Sequence, residues 1–124
     1  MLVTPRYTGH YCENACENFT SDLLLNLSRD NMLFIDIGAH YVYYTVLVGT
    51  RHPDCNIIAF EPVPENFDIL KRNVALNKLK NTELHNVAVS NSDGLRKFNV
   101  TEASDSCGFY EHPLTQTSKV RSNS

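Results

Sequence analysis

Apolar residues come in short bursts along this chain, and the spacing within each burst changes from one to the next. From Thr20 or Ser21 the segment TSDLLLNLSR follows an N-cap residue type with Leu23, Leu24, Leu25 and Leu27, which predicts a short helix. Met32 to Ile37 is an apolar run broken only by Asp36, the pattern of a strand buried on both faces. Tyr43 to Gly49 reads as a helix that Arg51, His52 and Pro53 bring to an end. A second apolar run, Ile57 to Phe60, stops at Glu61 and Pro62. Pro64 suits a first helical position, and Glu65 to Asn77 puts Phe67, Leu70 and Val74 on one face with Lys71 and Arg72 outside, so an amphipathic helix capped by Asn77 is expected. Thr82 to Ser90 alternates well enough for a third strand. After the turn signal Asn91 to Gly94, Leu95 to Val100 and Cys107 to His112 read as weaker strands of a hairpin. The order α-β-α-β-α-β-β-β predicts right-handed crossovers and a parallel sheet.

The bulk properties narrow this picture. A length of 124 residues allows one small domain or part of one. With 42% hydrophobic and 20% charged residues, the composition is that of an ordinary globular protein. Eleven basic against fourteen acidic residues, with no Lys/Arg run, lack the footprint of a nucleic-acid binder, so no nucleic-acid partner is expected. No apolar stretch approaches the roughly 20 residues of a membrane helix, and Met1 to Tyr11 does not read as a signal peptide. The cytoplasm is mildly favoured, with the compartment left open. Cys12 and Cys16 are close enough to pair, but no second ligand pair follows them, so free thiols and no metal site are expected of the four cysteines. Sequons at Asn18, Asn26 and Asn99 are too short a pattern to carry weight.

The chemistry concentrates in FIDIGAHYVYYTVLVG. A strand, a glycine turn and a helix bring backbone N–H groups and the positive end of a helix dipole together at the carboxyl edge of a sheet. About twenty residues on, at the end of the next strand, Glu61 stands where an acid can receive both hydroxyls of a ribose. Asp36 restricts the ligand. A carboxylate two residues before Gly38 would repel a pyrophosphate by on the order of 1 to 4 kcal/mol and would favour positive charge. The sulfonium and ammonium groups of S-adenosylmethionine suit such a turn; a nicotinamide dinucleotide does not. The plainer alternative is that Asp36 orients the loop and Glu61 is a solvated strand end.

FIDIGAHYVYYT, IIAFEPVPENFDILKRNVALN and LHNVAVSNSDG together resemble the FkbM-type methyltransferases, a branch of the class I S-adenosylmethionine-dependent enzymes, over Leu33 to Gly94. The resemblance implies an incomplete α/β, Rossmann-like class I methyltransferase sheet, with the first three parallel strands and their helices, plus a C-terminal hairpin region. It implies an N-terminal extension over 1–19 and the cofactor-binding half of the domain over 20–124. The family's first motif is similar to Asp-x-Gly-Ala-Asn-x-Gly-Tyr-Tyr and places Asp36, Gly38, Ala39, His40 and Tyr44 around the cofactor. Glu61 matches the ribose-binding acid, Pro62 follows it, and Asn86 to Ala88 fall at the adenine wall. S-adenosylmethionine is the implied cofactor, and a carbohydrate or small-molecule oxygen the implied methyl acceptor.

The sequence departs from that pattern in two places. Val42 replaces the second glycine, and overpacking there is expected to cost about 1 to 3 kcal/mol and to weaken binding. No fourth strand with its acidic motif follows, so the edge of the first strand is expected to be open and ready to pair with another chain. No general base can be assigned: His10, His52, His85 and His112 have no evident partner. The alternative to an enzyme is a non-catalytic methyltransferase-like fragment or interaction module.

Overall fold

The computed structural model describes residues 18–40, 43–100 and 116–123, with side chains described for 19–40 and 43–95. Helix α1 (Asn18–Leu27) leads to strand β1 (Leu33–Ile37), helix α2 (Tyr43–Arg51), strand β2 (Asn56–Phe60), helix α3 (Pro64–Leu76) and strand β3 (Thr82–His85). Strands β4 (Ala88–Val89), β5 (Gly94–Val100) and β6 (Gln116–Asn123) follow. The first three strands form one parallel sheet in the order β1-β2-β3, with Ile35 opposite Ile58 and Ala59 opposite Leu84. The other three form a second sheet, β4-β6-β5, parallel on one side of β6 and antiparallel on the other.

The pleat of the parallel sheet sorts its residues into two unlike faces. One carries Phe34, Asp36, Ile57, Ala59 and Leu84 and receives the helices. Leu70 and Val74 of α3 pack with Ala39 and Ala59, while Val48 of α2 packs with Cys55, Ile57 and Phe34, joined by Leu24 of α1. Leu70 is fully buried, as the expected amphipathic face of α3 requires, and so is Val48 of α2. The other face carries Leu33, Ile35 and Ile37, which remain 58%, 50% and 63% exposed. The expectation that Met32 to Ile37 would be buried on both faces is therefore wrong: β1 pairs with β2 alone among the described residues and is covered on one side only. An unbroken apolar run reports what a strand can be buried against, not whether a layer covers it.

Two further expectations change. Thr82 to Ser90 is not one strand: it breaks at Asn86 and Val87, and β4 leaves the parallel sheet for the second one. The partner of β5 is β6, a polar segment whose weak alternation gave no signal, while the expected strand at Cys107 to His112 lies outside the described residues. Elsewhere the boundaries shift by a residue or two, as at α1, which begins at Asn18 instead of Thr20 or Ser21.

Helix α3 shows why the sequence punctuates where it does. Pro64 occupies the first turn, and Asn77 closes the end, its Nδ2 donating to Asn73 O at 2.8 Å. Lys78, at φ 54°, supplies the left-handed residue beyond it. Its N–H donates to Ala75 O and that of Leu79 to Val74 O, the paired bonds of a Schellman closure.

Candidate functional site

The turn after β1 bends on Gly38 at φ 78° and again on His40 at φ 55°. At Gly38 an added Cβ would meet nothing within 4 Å, so glycine serves the backbone conformation there and not a close approach. A non-glycine residue in the left-handed region, such as His40, is uncommon and costs strain that functional sites often retain. Val42, the expected defect of this turn, and Tyr41 lie outside the described residues.

Three successive amides of the turn point at the end of β2. The Gly38 and Ala39 N–H groups both donate to Phe60 O at 2.9 Å, and the His40 N–H donates to Glu61 Oε2 at 2.8 Å. The other oxygen of Glu61 accepts from the Val63 N–H at 2.8 Å. Val63 is the N-cap of α3 and has no side-chain cap, so Glu61 supplies from two residues upstream the acceptor that this helix start lacks. Glu61 thus ties the turn after β1 to the start of α3 and is only 3% exposed.

Asp36 plays the matching part at α2. Its Oδ2 accepts from the hydroxyl of Thr45 at 2.7 Å, and the backbone of Thr45, in the first turn of that helix, also favours the carboxylate. Burial raises the Asp36 pKa, opposed by the two Thr45 contacts. Burial also raises that of Glu61, opposed by the Val63 and His40 N–H groups and by Asn66, with the nearby Asp36 adding to the rise. Among the described residues no cationic side chain is paired with either acid. Half-buried Asp36 and buried Glu61 therefore sit at the carboxyl ends of β1 and β2, the charge of the first raising the pKa of the second.

These raised values set the sign of a pH response. Relative to ordinary values of 3.8 for Asp36 and 4.5 for Glu61, stability from these groups is full below the ordinary carboxylate range and is lost as pH rises through the raised folded values. Thr45→Val removes a donor that favours ionised Asp36 and extends that loss upward. We expect its cost to grow from little near pH 4 to about 1 to 3 kcal/mol at neutral pH, read from denaturant melts across pH.

The remaining expected site residues gather around the same edge. Ala39 is turned into the core beside Ala59 and Leu70, whereas Tyr44 lies in the first turn of α2 with its ring edge-on to Tyr43. Pro62 separates Glu61 from the α3 cap. Asn86 Nδ2 donates to Glu61 O at 2.8 Å and more weakly to Pro62 O at 3.3 Å, tying the end of β3 to the same loop. Ala88 is buried in β4.

A cavity of about 540 Å³ lies elsewhere, at the amino edge of the sheet between Gly49, Cys55 and Leu79. Ligands of open α/β sheets bind at the opposite edge. Cys55 beside it is free and buried, which pushes its thiol pKa up and makes it a poor nucleophile. Among the described residues no three His, Cys, Asp or Glu side chains are grouped to hold a metal, and no helix is long and apolar enough to cross a membrane.

The family model for the methyltransferase FkbM domain matches residues 36–124. The chain belongs to the FkbM methyltransferase family. The match starts at Asp36, the first acid of the site. Among curated relatives, this FkbM chain is 38% identical over 47 residues to Methyltransferase sdnD of Sordaria araneosa, covering 38% of this chain and 18% of that protein. It is 27% identical over 64 residues to Methyltransferase 1 of Beauveria bassiana, covering 52% of this chain and 26% of that protein. The matched stretches thus span about a fifth to a quarter of those relatives.

Solved structures agree on the fold. An rRNA methylase of Streptococcus thermophilus aligns with a TM-score of 0.50 at 15% identity, over 56% of this chain and 41% of that one. A protein named as a transferase from Pyrococcus horikoshii aligns at 0.51 and 17%, over 71% and 30%. The described part of this FkbM chain is therefore a partial Rossmann-like sheet. Reading the sequence missed Thr45 and Asn66, the side chains that attend the two acids. The signal available was positional: each lies in the first turn of the helix that follows its acid.

Proposed function

We propose that this chain is the cofactor-binding part of an S-adenosylmethionine-dependent methyltransferase acting on an oxygen of a carbohydrate or small-molecule acceptor. The observation that carries the reading is the pair of carboxylates at one sheet edge, half-buried Asp36 and buried Glu61, with no paired cation among the described residues. Such a pair favours a ligand that brings positive charge, and the fit extends to the turn. Its amides at residues 38 to 40 are engaged with Phe60 and Glu61, so they do not form a cradle for a pyrophosphate.

Each oxygen of Glu61 accepts one backbone N–H and retains acceptor capacity for a ribose hydroxyl. Asp36, held by Thr45, supplies negative charge towards the cationic part of the ligand. When bound, S-adenosylmethionine would supply an electrophilic methyl group, passed to the acceptor oxygen in exchange for that oxygen's proton. The residues of this chain bind and orient; none is assigned as the base. Membership of the family and the naming of both curated relatives as methyltransferases support this reading.

Isothermal titration separates it from a nicotinamide site. Binding of S-adenosylmethionine or S-adenosylhomocysteine, with none of NADH, is the expected result. A folded chain that binds neither sulfur ligand would overturn it. A partner follows from the sheet itself: the open edge and bare face of β1 associate with a second copy of the chain.

A further inference from the structure

Asn66 is the third residue of α3, 3% exposed, and its Nδ2 has no hydrogen-bond partner. A buried amide donor left in this state is costly, and native proteins rarely retain one without a reason. Its place in the helix sharpens the question. A polar side chain at the third position of a helix commonly reaches back to the N-cap N–H. Here that N–H, on Val63, is taken by Glu61 Oε1. Asn66 is left facing the carboxylate that displaced it, close enough to favour its charged form but without closing a hydrogen bond.

We propose that Asn66 is a positioning residue of the cofactor site, whose spare amide N–H closes onto the Glu61 carboxylate when ribose hydroxyls engage it. The inference rests on the S-adenosylmethionine reading above. Before a ligand arrives, both oxygens of Glu61 are directed to backbone donors on either side, His40 and Val63. Two ribose hydroxyls bring two further donors to the same carboxylate and turn it off the Val63 N–H, which the Asn66 carbonyl then accepts as a third-position side chain commonly does, while the His40 bond stays. The Asn66 amide then becomes the donor that fixes its new orientation, and the unpaired state of the free protein is resolved in the bound one. Ionisable residues on the elements meeting at Glu61 are Asp36 on β1, His40 in the turn, Glu65, Asp68, Lys71 and Arg72 on α3, and Glu83 and His85 on β3. Of these, Asp36 acts on Glu61 through its charge.

The test is titration of the whole chain with S-adenosylhomocysteine, alongside thermal melts, for wild type, Asn66→Leu and the smaller Asn66→Ser. Loss of a hydrogen bond to a charged group that exists only in the complex predicts affinity about 10- to 100-fold weaker in both variants. The melting temperature of the free Asn66→Leu protein should change little, because removal of an unpaired donor offsets the loss of a contact that favours ionised Glu61. A residue with a merely structural role would instead lower stability and affinity together, and that result overturns the proposal. Unchanged affinity in both variants, with wild type binding, overturns it while leaving the cofactor reading intact. A folded wild type that binds no S-adenosylhomocysteine overturns both.

Discussion

Glu61→Ala should cost the free protein about 2 to 5 kcal/mol and abolish measurable binding of S-adenosylhomocysteine. The estimate follows from what the carboxylate holds. His40 N–H and Val63 N–H both end on it, and alanine leaves two donors without their acceptor at about 1 to 3 kcal/mol each. Relief of a buried charge offsets part of that sum. For a domain of this size such a loss is a large fraction of the total stability. Glu61→Gln should fall between the two, since its one carbonyl oxygen can serve either donor while its NH₂ opposes the other. Urea melts with binding titrations check both variants. A stability change below about 0.5 kcal/mol in Glu61→Ala would show that the clamp between the β1 turn and α3 is not formed in solution.

The second large effect belongs to β1. Leu33, Ile35 and Ile37 stand on one bare face of an edge strand, each at least half exposed. Covering the remaining area of three such side chains against a second copy is worth about 1 kcal/mol each, or roughly a 100-fold gain in association. Wild type should therefore show a concentration-dependent shift to larger species in analytical ultracentrifugation. Ile35→Lys should remain monomeric at the same concentrations with its fold unchanged, because position 35 contributes nothing to the covered face. A wild type that stays monomeric throughout would overturn the pairing.

Both effects arise where the sequence is unevenly legible, and the reasons are physical. The elements were legible because their signals are local: Pro64 starts α3, Asn77 ends it, and the 3.6-residue spacing of Phe67, Leu70 and Val74 marks its buried face. A parallel sheet follows from strands alternating with helices, and its first three strands are parallel as expected, while its partial Rossmann-like character is what the family resemblance implies. Coverage was not legible. Met32 to Ile37 has the composition of a strand covered on both faces, yet a layer over the second face depends on elements distant in sequence. The break at Asn86 was hidden for a related reason, since Ala88 and Val89 keep the alternation of β3 while pairing in another sheet.

For the site, the distance from Gly38 to Glu61 was enough to pick out an acid near the β1 turn, and the structure does bring Asp36, Gly38, His40, Glu61 and Asn86 to one edge of the sheet. That distance does not show that Glu61 bonds the start of α3, whereas the bond of Asp36 to Thr45 agrees with the plainer reading that Asp36 orients the loop. Ribose acceptor and helix cap ask for the same residue type at the same place. Thr45 and Asn66 escaped notice because a threonine or asparagine in a first turn has many ordinary uses.

The shared acceptor at Phe60 has a mechanical consequence. Its carbonyl holds two amides of the β1 turn and the next residue's side chain holds the third, so the turn is fastened to a single short stretch of β2. Residues 38 to 40 cannot loosen one at a time: they open as a latch, together, and the end of β2 is its catch.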